Sequence, residues 1–346
     1  MIGRLAAALL AVSAMTGSAQ AADGSSYAIL GFEDLQGWAD DDHQAALDVF
    51  RNTCGDLNDP DWRALCAMAA DTGDARQFFE LFFRPVMISD GADPLFTGYF
   101  EPELDGSLTR TSRYSHPLYT MPSEAAETRP WLTRREILST GALAGRGLEI
   151  AWVDDPVEAF FLQVQGSGRI RLPDGQSIRV GYAGANGHPY SSIGQELVRR
   201  GIYEPHQVSA DVIRNWVRRN PDEGRELLFH NDSYVFFREV SEVPAERGPL
   251  GAMNRSITPM RSIAVDPAFV PLGAPVWIEK AGDEPMQRLM IAQDTGSAIK
   301  GAQRADIYFG TGDDAGQRAG RVKDGGRMVV LLPIQRAYAL LPQDPP

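Results

Sequence analysis

Three aspartates stand at strand-like apolar runs in the last third of the chain: Asp266 in "SIAVDPAFVPLG", Asp294 in "LMIAQDTGSAIKG" and Asp306 in "ADIYFGTG". Carboxylates gathered at strand ends do two kinds of work. Two that share a proton activate water in aspartic proteases. Two that flank a sugar–sugar bond protonate the leaving oxygen and supply the attack from the other side. The spelling Asp294-Thr295-Gly296-Ser297 points to the first. Its surroundings do not: a pepsin-like enzyme needs the same loop on two matching halves, or on two short identical chains. Asp306 instead comes twelve residues later, at the start of another strand. A four-residue match specifies little, and this one is a local coincidence.

The elements around these aspartates are short and β-branched. "RSIAVD", "APVWIE", "RLMIAQD", "ADIYFG" and "RMVVLLP" recur at even spacing, which predicts a small closed barrel and not a parallel doubly wound sheet. Upstream, from Phe96, alternating runs are separated by Gly, Pro and Asp. The clearest pair is Ile170–Leu172 and Ser177–Val180, joined by the turn Pro173-Asp174-Gly175-Gln176. In "FFLQVQGSGRI" the alternation predicts a strand with Gln163, Gln165 and Ser167 on one face, ready to bond hydroxyl and N-acetyl groups. Gly166 and Gly168 do not make a phosphate cradle, since no Lys or following helix supports one. Helices are expected from Thr133, with Glu136 as capping partner, from Ser192, with Gln195, and over "SADVIRNWVRRN" up to Pro221.

Residues 39–83 read as helices. In "DDDHQAALDVFRNTC" Ala46, Val49 and Phe50 share a face and the acids crowd the N-terminal end, where the helix dipole favours them. "DWRALCAMAA" and "DARQFFELFF" repeat the pattern, the last stopped by Pro85. These are scaffold.

Composition narrows the function. The 346 residues are 43% hydrophobic and 23% charged, which suits a chain with a substantial buried core. The net charge of −13 speaks against nucleic acid as a partner. Residues 1–21 carry Arg4, an apolar run too short for a bilayer, and Ala19-Gln20-Ala21, the order of a cleaved export signal. Cys54 and Cys66 are the only cysteines; in an exported chain they either close a disulfide, worth about 3 kcal/mol, or stay as two buried thiols. The five histidines lack metal-ligand spacing and neither cysteine pairs with them, so no metal and no cofactor are expected.

Beyond single motifs, the chain closely resembles the MltA-type lytic murein transglycosylases, which contain a three-aspartate double-psi β-barrel domain. "FTGYFEP", "FFLQVQGSGRI", "GYAGANGHPYSSIG", "NDSYVFFRE" and "MNRSITPMRSIAVD" are similar to blocks of that family in its order, as are "LQGWADDDHQAALDVF" and "ARQFFELFFRPVMI". The likeness runs from about Phe32 to Pro333. It implies a mainly β, α+β fold in two domains: 23–102 plus 246–340 holding the helices and the barrel, 103–245 inserted as a smaller β-domain, and a groove between them.

The resemblance also implies the chemistry, cleavage of peptidoglycan glycan strands. It assigns the acid to Asp306 and lines the groove with Asp294, Thr97 and Tyr99. The 6-hydroxyl of the sugar is then the nucleophile, tethered to the carbon it attacks, so one aspartate performs both proton transfers. Asp306 must start protonated, and Ala305, Ile307, Tyr308 and Phe309 around it supply desolvation. Tyr99, Phe100 and Tyr308 are either flat faces for sugar rings or core. Lys300 is either a solvated charge or a partner for lactyl and stem-peptide carboxylates. Asp266 is either a site residue or a cap on a barrel loop. Family members with a lipid anchor carry Cys just after the signal, and this chain has none there, which leaves outer-membrane attachment in doubt and a periplasmic location expected. A monomer is expected, with a wall-remodelling protein complex as a further partner. Two rivals keep the same groove: a non-catalytic peptidoglycan-binding wall protein, and a glycoside hydrolase that uses water between the two acids.

Overall fold

The computed structural model describes residues 19–20, 24–57 and 59–340. Apart from the two-residue strand Ala19–Gln20, the export-signal segment 1–21 lies outside them. Mostly sheet with helices packed on it, the fold is α+β, as expected.

Ten strands form the larger sheet. Across it run Ala19–Gln20, Ser26–Ile29, Phe83–Ser89, Gly326–Pro333, Pro275–Lys280, Met286–Thr295, Ser262–Val265, Arg304–Thr311, Leu95–Glu101 and Lys323–Asp324. All five strand-like runs of the last third are therefore strands of one sheet. Their pairing is mixed: Ser262–Val265 runs parallel to Met286–Thr295 and antiparallel to Arg304–Thr311, which in turn runs parallel to Leu95–Glu101. Parallel neighbours this close in sequence require the chain to cross over, which hairpins alone never do.

The helices His43–Thr53, Pro60–Asp71 and Ala75–Phe82 cover one side. Asp42 caps the first, accepting from Ala45 N–H, and its face of Ala46, Val49 and Phe50 is buried as the spacing predicts. Phe50 meets the rings of Phe78, Phe79 and Phe83 at centroid distances of 6.0, 6.3 and 6.0 Å, each such pair adding about 0.5–1.5 kcal/mol to the burial. Pro85 does not stop the third helix. The chain turns extended at Phe83, and Pro85 lies inside the next strand opposite Leu331. Cys54 and Cys66 are joined in a disulfide across the first two helices.

Six strands form the second sheet, in the order Val235–Glu239, Ser177–Ala185, Gly168–Arg171, Glu103–Ser107, Glu149–Val153 and His116–Tyr119. The helices foreseen at Thr133 and Ser192 are present as Arg134–Thr140 and Ile193–Arg199, the first with a complete Thr133–Glu136 capping box. Pro221, read as a terminator, opens a further helix, Pro221–Leu228, at the position where proline is best tolerated.

The chain passes from the large sheet to the small one within two residues, from Glu101 across Pro102 to Glu103. Glu101 has no exposed surface and is paired with Arg169 and Arg179 of the small sheet at 3.0 and 2.8 Å. It also accepts from Thr311 of the large sheet at 2.8 Å. A buried carboxylate stripped of such partners costs several kcal/mol, so this cluster pins the two sheets together at the end of the strand that carries Thr97 and Tyr99.

Candidate active site

Ala264, in the middle of Ser262–Val265, is the register partner of Asp294 on one side and of Asp306 on the other. Neighbouring strands lie about 4.8 Å apart, so the two aspartates flank a single methyl group. A bulge makes this possible. Ile263 pairs with Ala292 and Ala264 already with Asp294, so Gln293 is the extra residue and the next side chain is re-aimed. Buried Gln293 is held by the Ser262 hydroxyl, which donates to its Oε1.

The next strand over, Leu95–Glu101, brings Thr97 opposite Asp306. The Thr97 hydroxyl donates to Asp306 Oδ1 at 2.6 Å, and Arg304 donates to Thr97 Oγ1 at 2.8 Å. Asp294 is more heavily tied. Its Oδ2 accepts from the Tyr99 hydroxyl at 2.9 Å, and its Oδ1 from the backbone N–H groups of Ala252 and Thr295, each at 2.9 Å.

Both carboxylates retain some exposure at a cavity of about 260 Å³ while protein crowds them on every other side. Burial pushes Asp294 up to about 6 against the pull of its three donors, and the nearby Asp306 adds to the rise. Burial likewise raises Asp306 above the ordinary carboxylate value, with Thr97 and the Arg304 charge opposing it. Tyr99 is raised well above its usual value by burial and by the Asp294 charge, so it stays a donor. One wall thus holds two acids whose protons come off later than those of surface aspartates, the electrostatic signature of a working site.

The facing wall comes from residues of the small sheet and its helices, and it departs from what the sequence predicts. Gln163 and Gln165 lie on a helix, Pro156–Gln165, not on a strand. Asp155 caps it by accepting from Val157 N–H, Pro156 takes the first helical position, and Gly166 ends it in the left-handed conformation at φ 80°. Those start and stop signals outweigh the chance alternation of "FLQVQ". Ser167, past the helix end, does not line the cavity and shares no strand face with the two glutamines. Gln165 Oε1 accepts from Phe100 N–H at 3.1 Å, tying the two walls at their seam. Gln163 accepts from Arg134 at 2.7 Å.

Arg134, Tyr190, Asn231 and Ser233 complete this wall, and sequence reasoning misses all four. Arg134 is the organiser. Its guanidinium donates to the main-chain oxygens of Asn231 and Ser233 at 3.0 and 2.6 Å and lies over the rings of Phe160 and Tyr234. Burial brings its pKa down to about 10. The only local signals were the capping box that precedes it and the polar "NDS" ahead of a strand. Arg304, which also lines the cavity, was missed as well, though it stands two residues before Asp306.

The other expected residues fall outside. Tyr308 has no exposed surface and stacks behind Tyr99 at 5.3 Å, so it is core and no platform for a sugar. Phe100 packs against the main core. Asp266 is 6% exposed, accepts from the N–H groups of Ala268 and Gly301, and has Lys300 at 3.6 Å. It closes the loop that carries Thr295 to Ile299 along the cavity and does not itself line it. Lys300 points to solvent. A second Asp-Thr-Gly, Asp71-Thr72-Gly73, escapes the sequence reading. It ends the helix Pro60–Asp71, and neither Asp71 nor its neighbours line the cavity, so no protease-like pair with Asp294 exists there.

Known proteins resemble this chain in sequence and fold. The domain described as the MltA specific insert domain matches residues 95–238, and the 3D domain matches residues 261–332. Membrane-bound lytic murein transglycosylase A of Vibrio cholerae serotype O1 is 35% identical over 264 residues, covering 72% of this chain and 69% of that protein. The crystal structure of a membrane-bound lytic murein transglycosylase from Agrobacterium tumefaciens matches with a TM-score of 0.82 at 33% identity, over 91% of this chain and 99% of its own. Escherichia coli MltA with bound chitohexaose matches with a TM-score of 0.69 at 31% identity, over 86% and 90% of the two chains. With its insert, its 3D domain and its curated relatives in agreement, the chain belongs to the membrane-bound lytic murein transglycosylase A family.

Proposed function

We propose that this chain is a lytic murein transglycosylase that cleaves the β-1,4 bond between MurNAc and GlcNAc in peptidoglycan and leaves a 1,6-anhydroMurNAc end. The observation that carries this reading is the pair of carboxylates across Ala264, one of which, Asp306, has a single donor on one oxygen only. An oxygen without a donor is where a transferable proton sits. Burial keeps Asp306 protonated longer than a surface aspartate, and it passes that proton to the glycosidic oxygen as the C1–O bond breaks. The resulting carboxylate takes the proton of the 6-hydroxyl while that oxygen bonds to C1. One C–O bond is exchanged for another, the proton returns to Asp306, and no water is consumed.

Asp294 has the opposite build. Donors occupy both of its oxygens, so when the pair shares one proton that proton rests on the donor-free oxygen of Asp306. Asp294, although burial raises it to about 6, then presents the negative charge to the oxocarbenium-like carbon. The facing wall of amides and hydroxyls suits N-acetylated sugars, and the bound chitohexaose of the E. coli relative, an N-acetylglucosamine chain, agrees with that chemistry.

The domain division we propose is 23–102 plus 246–340 around an insert of 103–245. It is supported by the strands themselves, since all six of the small sheet fall inside the insert and all those of the large sheet from Ser26 onward fall outside. We place the protein in the periplasm on the strength of its N-terminal residues and its disulfide. Among the described residues no helix is long and apolar enough to cross a membrane.

The test is the mass of the products released from purified peptidoglycan. Anhydro-muropeptides, lighter by one water than hydrolysis products, are expected. Reducing ends would turn the reading to a water-using hydrolase, and binding without products to a wall-binding protein.

A further inference from the structure

Resting on the reading of Asp306 as the acid, the hydrogen bonds behind it distinguish its two oxygens. A threonine hydroxyl has one hydrogen and two lone pairs, whereas a guanidinium only donates. Arg304 lies 2.8 Å from Thr97 Oγ1 and so takes one of its lone pairs. Arg304 is itself held in place by donating to the main-chain oxygens of Ala305 and Leu95, at 2.5 and 3.3 Å. The remaining contact of Thr97 Oγ1, at 2.6 Å, is to Asp306 Oδ1, and this is where its hydrogen goes. A proton placed on Oδ1 would put two hydrogens between the same two oxygens and leave the hydroxyl without an acceptor. Oδ2 has no such contact, and it is not sealed in the interior.

We propose that Arg304 is a positioning residue: by donating to Thr97 it commits the Thr97 hydrogen to Asp306 Oδ1 and leaves Oδ2 as the oxygen that carries the acid proton to the glycosidic bond. The relay serves the second half of the reaction too, because the same donor steadies the carboxylate that remains when the proton has left. Four other charged or titratable groups besides Arg304 line the cavity with Asp306, and Lys323 stands one strand beyond, in register with Thr97. Asp294 comes from Met286–Thr295 and Tyr99 from Leu95–Glu101, while Arg134 and Tyr190 stand on the facing wall. The strand between the two aspartates contributes only Ala264 to the cavity.

Kinetics on soluble glycan substrate, read as kcat, KM and pH profile for folded variants, test this. Thr97→Val removes the donor. It is expected to lower kcat about 10- to 100-fold, the worth of one hydrogen bond to a charged group, with KM little changed. Its alkaline limb should move to higher pH, because a carboxylate without its donor holds its proton longer. Thr97→Ser should restore both. Arg304→Met should reproduce the Thr97→Val loss, Arg304→Gln, which keeps a donor, should retain most of kcat, and the double variant Thr97→Val/Arg304→Met should be no worse than either single one. Wild-type kcat and profile in Arg304→Met, or fully multiplicative losses in the double variant, would overturn the relay. Equal damage from Gln and Met would overturn it in favour of the bare charge. Should Arg304→Met not fold, the Thr97→Val and Thr97→Ser pair decides through kcat and the alkaline limb. Absence of anhydro product from the wild type is a separate outcome and would remove the underlying reading instead.

Discussion

On the large-sheet wall of the cavity, two carboxylates stand on either side of Ala264, fixed by backbone register on adjacent strands. On the facing wall no carboxylate lines the cavity; a buried arginine holds two main-chain carbonyls and a glutamine amide in place. The first wall is ordered by strand pairing, which leaves acids little freedom to drift, as proton transfer requires. The second is ordered by side chains around Arg134, which suits recognition of hydroxyls and amides but offers nothing that titrates near neutral pH. On the proposed function, the two walls divide chemistry from grip.

That division can be broken from either side. Asp294→Asn removes charge from the chemical wall without changing shape, and kcat should fall about 10²-fold, the scale of one group that stabilises developing charge. Assay at fixed saturating substrate checks it, and a change confined to KM would move Asp294 to the grip. Arg134→Met should act the other way. It leaves the Asn231 and Ser233 carbonyls and Gln163 Oε1 without their donor. Thermal unfolding should show a loss of about 2–4 kcal/mol, and KM should rise by more than kcat falls.

A finer cut comes from Tyr99→Phe. Removing one of three donors from Asp294 disfavours its carboxylate and raises its pKa further above about 6. Asp294 must be ionised to act, so activity on the acid side should vanish at higher pH than in the wild type. The alkaline limb, set by loss of the proton the pair retains on Asp306 in the proposed roles, should stay nearly in place. An unshifted acid limb would show that Asp294 does not govern it. The smallest effect belongs outside both walls. Lys300 is largely exposed, and its contact with Asp266 is of the kind worth about 0–1 kcal/mol. Lys300→Ala should leave KM and Tm close to wild type, whereas a clear rise in KM for substrates with intact stem peptides would bring it into the grip.

The chemical wall was the legible one. Asp294 and Asp306 sit in strands whose β-branching and short apolar runs are local signals, whereas the places of Thr97 and Tyr99 in the groove and the acid role of Asp306 came from the family likeness. What the local pattern does not contain is the bulge at Gln293, the extra residue that aims Asp294. The grip was mostly illegible for a different reason. Arg134 meets Ser233 across nearly a hundred residues, and only tertiary packing joins them. The helix Pro156–Gln165 was misread because its buried residues, Val157 and the unbroken run Phe160 to Gln163, blur the 3.6-residue period, leaving Asp155-Pro156 and Gly166 as the informative residues. The insertion of one sheet within the other was visible only through the family likeness, since a crossing of two residues at Pro102 leaves no linker to notice.

The most direct test of the central claim, that a single aspartate is both acid and base, is the rate at which anhydro-muropeptides appear from purified peptidoglycan with Asp306→Asn, its folding verified by Tm. A single-acid mechanism expects a fall of about 10²- to 10⁴-fold, with no reducing-end products taking their place. Anhydro product formed within about tenfold of the wild-type rate would contradict it and shift the proton transfers to another group.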